Sequence, residues 1–372
     1  MIFSILLPSK NGDKDIDHCI NAVLDQKFDS LELIIGDNNN SEKFKNIISK
    51  YSKHENIKII THKIDMPVTD NWQSCLDAST GDYVIMLGDD DCLLPNSLED
   101  IFSAIKDNNY PECLSFNGIG FYNKGSLLKI NSSAYSKIFF DYKKKGVDEG
   151  VLSKKDRLSI VKKMFNFDNK LPLNMQPHIV SRKAFKRLKK KLYQPPFPDH
   201  YALNSLLLTA ESWVVSYKKV IAVGITSNSF GHFYFNEKTS DGIKYLGQEM
   251  DFPNSVPGSI LNTCMMMWLI NIKIDYANYL NSVKIPRAAY VQRQFYYILS
   301  QYFKKNIKLD LVLKFFYNLE FKDKLNLMKV LFKFNMIYRG LIRIFSNDIS
   351  NMILLKEDID IYSFTRSRNF NE

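Results

Sequence analysis

The chain has few cysteines, and none of them has the spacing of a metal or redox motif. Its 372 residues contain five cysteines, Cys19, Cys75, Cys92, Cys113 and Cys264, which are scattered and never form a Cys-x-x-Cys pair. Disulfide scaffolds and cysteine zinc sites use paired, closely spaced cysteines. The pattern therefore argues against both and favours buried thiols in a reducing compartment.

Glycine, proline and long apolar runs are also scarce. The sequence has 15 Gly and 12 Pro and is 45% hydrophobic, which argues against a long disordered region and allows a sizeable core. The most apolar late run, residues 264–272, is too short to cross a bilayer. The first residues lack the basic region and cleavage site of a signal peptide. We therefore expect a cytoplasmic protein, with contact to the inner face of the cell membrane left open.

Acidic residues are outnumbered, and the formal net charge is +10. Such a balance is compatible with nucleic acid, an anionic membrane or an anionic substrate as partner. The basic residues are scattered and no nucleic-acid recognition motif is present, so we expect no nucleic-acid partner. A nucleic-acid-binding protein remains the non-enzymatic alternative, together with an enzyme fold that has lost activity and serves as a scaffold.

The first 120 residues alternate between apolar runs and amphipathic stretches. The apolar runs, which have the length and composition of buried strands, are 2–8, 31–37, 57–62, 82–87 and 112–121. The stretches with helical spacing are 13–26, 41–53, 69–80 and 95–107. This alternation predicts an α/β fold, a Rossmann-like and mostly parallel sheet flanked by helices.

Polar residues follow three of the predicted strands, at 9–11, 37–40 and 89–91. The carboxyl ends of parallel strands meet at one edge of a sheet, which is where such sheets bind ligands. We therefore expect these three groups to converge on one site.

The third group is an unusual run of three aspartates, Asp89, Asp90 and Asp91, directly after five mostly buried-looking residues. Adjacent carboxylates near a core repel one another unless a cation compensates them. The sequence thus favours a Mg²⁺ or Mn²⁺ site completed by water and a ligand's phosphates. The alternative is a solvated acidic loop, with Asn96 or Ser97 capping the next helix.

Three segments together resemble glycosyltransferase family 2, whose members have the GT-A nucleotide-sugar fold. These segments are SILLPSKNG (4–12), LELIIGDNNNS (31–41) and NWQSCLDASTGDYVIMLGDDDCLLP (71–95). The order and the gaps match as well as the motifs. The resemblance implies a GT-A-like fold for this half of the chain.

The resemblance also implies roles for individual residues. Pro8, Ser9 and Asn11 would lie beside the nucleotide. Asp37 would accept hydrogen bonds from the base or ribose, and Asn71 lies in the helix that faces the donor.

The acidic motif would hold a divalent cation, Mn²⁺ or Mg²⁺, on the diphosphate. Aligned on the following Leu-Leu-Pro, the first aspartate of the family motif is replaced by Gly88. Asp90 then becomes the direct ligand and Asp89 lies near the ribose or the metal-bound water. The other register, Asp89-x-Asp91, stays open.

Two later residues extend the predicted site. Asp199, in FPDHYALNSLLL, resembles the family's catalytic base, whereas Asp at a helix start also serves as a cap. His200 is its neighbouring competitor. His232 is a candidate metal ligand, with a loop or core histidine as the alternative.

The predicted organisation has three parts: a nucleotide-sugar-binding half (1–120), an acceptor-binding half (121–254) and a helical C-terminal extension (255–372). Between Lys304 and Arg343 there are ten Lys or Arg against three Asp or Glu. The helices there are predicted to form a core, a homo-oligomer interface or a surface on anionic lipid.

The resemblance implies a metal-dependent, inverting glycosyltransferase. It would move a sugar from a nucleoside diphosphate, expected to be UDP, to a hydroxyl of a carbohydrate or lipid-linked saccharide. The expected setting is bacterial surface polysaccharide (O-antigen or capsule) synthesis. The rival enzyme is a haloacid-dehalogenase-like phosphatase, with Asp89 and Asp91 as its Asp-x-Asp pair. That motif ends the first strand of its fold, whereas here three predicted strands precede it.

Overall fold

The computed structural model describes residues 1–126, 131–226, 254–331 and 352–371. Within these ranges the chain forms an 11-stranded sheet with helices packed against it. Its strands are β1 (Phe3–Ser9), β2 (Leu31–Asn38), β3 (Ile57–His62), β4 (Tyr83–Met86), β5 (Cys92–Leu93), β6 (Cys113–Tyr122), β7 (Ala134–Ser136), β8 (Gly150–Val151), β9 (His178–Ser181), β10 (Trp213–Ile225) and β11 (Ile353–Leu354).

The helices of the first half alternate with the strands, and those of the second half follow one another. They are α1 (Ile16–Leu24), α2 (Glu42–Ser49), α3 (Val68–Ala78), α4 (Ser97–Asp107), α5 (Lys154–Met164), α6 (Pro198–Thr209), α7 (Ile260–Asp275), α8 (Ala277–Leu280), α9 (Arg287–Phe303), α10 (Leu309–Asn318), α11 (Phe321–Leu331) and α12 (Ile361–Arg366). Ser41 caps α2, because its hydroxyl accepts from the Phe44 N–H at 3.2 Å.

The four N-terminal strands β3-β2-β1-β4 are parallel, which confirms the predicted α/β sheet. Beyond β4 the sheet becomes mixed, because β9 runs antiparallel to both β4 and β6, while β10 is parallel to β6. Successive side chains of β1 face opposite layers. Ile5 and Leu7 pack with α1, α2 and α4, whereas Leu6 packs with α3, α5 and α6.

The polar middle of β10 does not end the strand, which continues through register shifts between Val215 and Ile221. The basic stretch after β9 forms a 3₁₀ helix, Arg182–Arg187. The five cysteines are free and buried, as expected. The domain boundaries at residues 120 and 254 stay a prediction.

No helix in the described part of the chain is both long and apolar enough to span a membrane.

The last described segment, 352–371, packs against the first half of the chain. The Phe364 ring lies 5.0 Å from that of Tyr135 and 5.2 Å from that of Phe121. The Arg366 guanidinium donates to the Leu93 carbonyl at 3.0 Å and to the Ala22 carbonyl at 3.2 Å. The segment therefore ties α1 to the strand that follows the acidic triplet.

Replacing Arg366 with alanine is expected to lower the free energy of unfolding by about 1–3 kcal/mol, because two backbone carbonyls lose charge-assisted hydrogen bonds. Urea denaturation measures the change. The matched control is Lys124→Ala, which removes the exposed 2.6 Å ion pair to Asp358 in the same segment. Exposed pairs contribute about 0–1 kcal/mol, so equal losses in the two variants would contradict the tie through Arg366.

Candidate active site

The carboxyl ends of β1, β2 and β4 meet at one edge of the sheet, as predicted. The Ser9 hydroxyl donates to Oδ2 of Asp89. The Asn40 side-chain amide donates to the Ser9 carbonyl at 3.0 Å, and its Oδ1 accepts from the Asn11 N–H. These bonds join all three polar groups, because Ser9 ends β1 and Asn11 follows it, Asn40 follows β2 and Asp89 follows β4.

Asp37, at the end of β2, has one carboxylate oxygen engaged and one without a partner. Oδ1 accepts from the backbone and side-chain N–H groups of Asn40, both at 2.9 Å. Oδ2 is buried and has no hydrogen-bond partner in the described structure, and Asp37 is 0% exposed. A buried acceptor without a donor costs about 1–3 kcal/mol. Such an oxygen is suited to accept from a ligand's N–H or O–H group.

Asn71 of α3 presents a second acceptor of this kind. Its amide lies 3.4 Å from the Gly36 carbonyl, and its Oδ1 is buried with no partner among the residues described. A Cβ on Gly36 would lie 2.6 Å from Asn71 Oδ1 and 2.5 Å from Cys75 Sγ, so only glycine allows α3 this close to β2. Pro8 lies in the adjoining strand, paired with Gly36.

The three aspartates form a tight turn after β4. Burial is the largest cause that raises the pKa of each carboxyl, to about 7 for Asp89 and about 6 for Asp91. The pKa of Asp90 is raised well above its usual value, by burial first and then by Asp91 and Asp89. The ionised forms of these carboxyl groups are therefore unfavourable in the turn by themselves, and a bound cation would stabilise them.

Asp91 differs from its two neighbours. Its Oδ2 accepts from the Gly88 N–H at 2.6 Å and its Oδ1 accepts from the Gly224 N–H at 2.9 Å. The side chain of Asp90 accepts the Thr226 hydroxyl at 3.2 Å instead. Asp91, which is 1% exposed, shapes the turn, whereas Asp89 and Asp90 are only partly buried.

The alternative interpretation of the acidic triplet had Asn96 or Ser97 capping the next helix. Asn96 takes the N-cap position of α4, but its side chain makes no capping hydrogen bond.

The end of β10, which sequence reasoning missed, forms the back of this turn. A Cβ on Gly224 would lie 1.9 Å from the backbone oxygen of Asp90. A glycine inside a strand often marks such a close backbone approach, and that signal was present in the sequence.

Gln176, in the loop before β9, is a second residue near the turn that sequence reasoning missed. Its side chain lies close enough to Asp91 to help lower the pKa of that carboxyl, and its Oε1 is buried without a partner in the described residues.

Gly224→Ala is expected to lower the free energy of unfolding by about 1–3 kcal/mol, because the added methyl group pushes β10 away from the acidic turn. Urea denaturation measures the loss. The matched control is Gly120→Ala in the paired strand β6, where the added Cβ meets the rotatable Ser136 hydroxyl. An equal loss in both variants would show that the acidic turn is not what Gly224 accommodates.

Asp199 lies in the first turn of α6, after Pro198, and is not the N-cap residue, which is Phe197. Its Oδ1 accepts from the His200 N–H at 3.0 Å. Burial raises the pKa of Asp199 to about 7 and lowers that of His200 to about 3. Near neutral pH the carboxylate is thus a base with a matched pKa, whereas the His200 imidazole is a much weaker one.

The surroundings of Asp199 connect it to α3. The Tyr193 N–H donates to Gln73 of α3 at 3.3 Å, and the Tyr193 ring contacts Trp72 at 5.3 Å. Burial is the largest cause that raises the pKa of Tyr193, and the nearby Cys75 and Asp199 raise it further. His232 lies outside the described residues, so its predicted role as a metal ligand stays a prediction.

The structure is a mixed α/β sheet flanked by helices and followed by C-terminal helices, as expected of a GT-A-like fold. Residues 4–151 match the family model "Glycosyl transferase family 2". This part of the chain is therefore similar to glycosyltransferase family 2, which confirms the predicted resemblance.

Curated relatives match over about a quarter of the chain. The putative glycosyltransferase EpsE of Bacillus subtilis is 28% identical over 98 residues, 26% of this chain and 35% of that protein. The GalNAc(5)-diNAcBac-PP-undecaprenol beta-1,3-glucosyltransferase of Campylobacter jejuni is 29% identical over 97 residues, 26% and 31% of the two chains. The UDP-Glc:alpha-D-GlcNAc-diphosphoundecaprenol beta-1,3-glucosyltransferase WfgD of Escherichia coli is 27% identical over 108 residues, 29% and 42% of the two chains. The chain thus spans less than half the length of these relatives.

Among solved structures, the chain aligns with S. aureus TarS 1–349. It is 15% identical with a TM-score of 0.47, over 81% of this chain and 84% of that one. Its complex with UDP-GlcNAc gives the same identity and TM-score over 81% of each chain.

Proposed function

We propose that this chain is a metal-dependent, inverting glycosyltransferase that moves a sugar from UDP to a hydroxyl of a lipid-linked saccharide. The observation that carries the proposal is the convergence at one sheet edge, within a family 2 domain, of the acidic turn and the buried acceptor of Asp37. That edge offers complementary groups for both ends of a nucleoside diphosphate.

Asp37 and Asn71 would receive the nucleoside. Both have a buried acceptor oxygen without a donor in the described residues, and both adjoin Gly36. The N–H of a pyrimidine base or a ribose hydroxyl would satisfy Asp37 Oδ2. Ser9 ends the neighbouring strand and Asn11 follows it, where they would line the path from the nucleoside to the acidic turn.

The acidic turn fits a divalent cation that is shared with a diphosphate. No group of three His, Cys, Asp or Glu side chains is arranged to hold a metal ion alone within the described ranges. Mg²⁺ and Mn²⁺, however, are commonly held by one or two carboxylates together with substrate phosphates. Asp90 would supply the direct ligand and Asp89 would adjoin it. A cation bound there supplies Lewis-acid stabilisation of the departing diphosphate.

Asp199 would take the proton. The acceptor oxygen forms a bond to the anomeric carbon while the bond from that carbon to the diphosphate oxygen breaks, and the hydroxyl proton passes to the carboxylate. Attack on the face opposite the diphosphate inverts the configuration. The carboxylate is buried enough to have a pKa of about 7, where a general base is effective.

Two relatives support the choice of substrates. The name of WfgD includes UDP-Glc as its donor, and the names of WfgD and the Campylobacter enzyme both contain an undecaprenol diphosphate acceptor. We extend this chemistry to the present chain and place its activity in polysaccharide synthesis at the cytoplasmic face of the membrane.

A thermal-shift series tests the nucleotide assignment. We expect UDP to raise the melting temperature more with Mn²⁺ than without it, because a ligand that binds only the folded state stabilises that state. GDP, dTDP and UMP are the matched comparisons for the base and the diphosphate. A shift by UMP equal to that by UDP, unchanged by Mn²⁺, would contradict a cation-bridged diphosphate.

A further inference from the structure

Helix α10 exposes an apolar stripe along one side. Leu309, Leu313 and Tyr317 recur every four residues, a spacing that places them on one helix face. They are 52%, 60% and 84% exposed. The opposite face is used for packing, because Val312 and Phe315 are buried in the cluster formed with α9.

Helix α11 continues this surface. Phe321, Leu325 and Met328 share one face and are 77%, 41% and 53% exposed. The two stripes adjoin, since the Lys324 ammonium donates to the Tyr317 carbonyl at 3.0 Å and lies 5.8 Å from the centre of the Tyr317 ring. We call these six side chains the apolar surface of α10 and α11.

This surface is concentrated in one place. Of the 16 large apolar side chains exposed in the described residues, eight lie between Phe303 and Met328. Scattered exposed apolar residues are normal, whereas a contiguous set marks an interaction site. Within the described ranges, α11 is held to α9 by other groups, namely the buried Leu327 and the 2.7 Å Arg287–Asp323 ion pair.

The charge around the apolar surface selects the partner. Residues 303–331 contain seven lysines against Asp310, Glu320 and Asp323, and Asp323 is neutralised by Arg287. Lysines beside an apolar helix face extend toward anionic headgroups while leucine and phenylalanine enter the acyl boundary. A second copy of the chain would instead bring lysines against lysines across a symmetric interface, which is unfavourable.

We propose that α10 and α11 form a docking surface for an anionic lipid bilayer. The six apolar side chains lie at the acyl boundary, and Lys304, Lys308 and Lys314 lie among the headgroups. This binding does not depend on the transfer reaction. If the proposed function also holds, it brings the active site to the surface where a lipid-linked acceptor resides.

Co-sedimentation of the full chain with vesicles tests the proposal. We expect binding to phosphatidylglycerol–phosphatidylcholine vesicles that weakens with salt, and little binding to pure phosphatidylcholine vesicles. The charge variant, Lys304→Gln with Lys308→Gln and Lys314→Gln, should bind anionic vesicles roughly a hundredfold more weakly. Its matched control is the exposed triplet Lys143→Gln, Lys144→Gln and Lys145→Gln, for which we expect binding close to wild type.

The apolar variant, Leu313→Gln with Phe321→Gln and Leu325→Gln, should weaken binding at least about tenfold. Its control replaces three exposed apolar residues elsewhere, Ile64, Val151 and Ile274, with glutamine. Retention of the UDP and Mn²⁺ thermal shift shows that each variant is folded, and it tests the nucleotide site separately.

Three outcomes would overturn the docking surface. The first is no vesicle binding by the wild-type chain, and the second is an equal effect of the control variants. The third is a dimer in light scattering that the apolar variant dissociates without any vesicle binding by the wild type, which would assign the surface to a second copy. Loss of vesicle binding with the thermal shift intact supports the proposal, whatever the transfer assay shows.

Discussion

Asp90→Asn is expected to reduce sugar transfer by about a thousandfold or more, because a Lewis-acid cation contributes several kcal/mol to the transition state. The amide oxygen can still accept the Thr226 hydroxyl, and the substitution removes one of three crowded negative charges. The fold should therefore survive. Release of UDP from UDP-sugars in the presence of lipid-linked acceptors measures the loss.

Asp82→Asn is the matched control, since Asp82 precedes the same strand at its opposite end and is exposed. It should leave turnover close to wild type. A folded Asp90→Asn protein with near-normal turnover, and with the UDP and Mn²⁺ thermal shift intact, would rule out the proposed cation site.

Asp91→Asn separates the two possible registers of the acidic motif. Both oxygens of Asp91 accept backbone N–H groups, so an amide nitrogen there would face a donor and break one bond. We expect this variant to lose about 1–3 kcal/mol of stability, unlike Asp90→Asn. If instead Asp91→Asn is stable and inactive while Asp90→Asn is active, the Asp89-x-Asp91 register holds.

Asp199→Asn has the second largest expected effect, a loss of at least about a hundredfold in the rate constant for transfer, because a positioned general base contributes ~10²–10⁴-fold. The asparagine can still accept the His200 N–H, so helix α6 should be preserved. Binding of UDP and Mn²⁺ should be unchanged. A loss smaller than about tenfold would mean that Asp199 is not the general base and only has a structural role in the first turn of α6.

The pH dependence of transfer gives an independent check. Only the ionised carboxylate accepts a proton, and the pKa of Asp199 is raised to about 7 by burial. The rate should therefore fall about tenfold per pH unit below 7 and level off above it. An acid limb near pH 4 would mean that the titrating group is not the partly buried carboxylate of Asp199.

As pH rises from about 4 to 7, the contribution of Asp199 to the free energy of unfolding should fall while the transfer rate rises. A buried carboxyl with a raised pKa binds its proton more tightly in the folded state, so it costs stability as pH rises from about 4 to 7. At pH 8 the free energy of unfolding of the neutral Asp199→Asn variant should be about 1–4 kcal/mol higher than that of the wild type. Near pH 4 the two values should be similar. An equal or lower stability at pH 8 would contradict the buried charge.

Sequence reasoning predicted those features that follow from local pattern. The apolar runs gave the parallel strands, and their carboxyl ends brought Ser9, Asp37 and Asp89 to one edge because parallel strands share their direction.

The features that were missed depend on residues far apart in the chain. Gly224 and Thr226 support the acidic turn from more than 130 residues away, and no periodicity in the sequence links them to it. The structural role of Asp91 depends on backbone N–H groups, which every residue type except proline carries. The C-terminal segment reaches the same region through Arg366, although it looked like an appendage.

A crystal structure with UDP and Mn²⁺, recorded at a wavelength that reveals manganese by anomalous scattering, tests the central claim most directly. We expect the manganese peak in contact with the Asp90 carboxylate and the diphosphate, with the nucleoside donating to Asp37 Oδ2. A manganese peak elsewhere, or a nucleotide bound away from Asp37 while Asp89 and Asp90 face solvent, would contradict it.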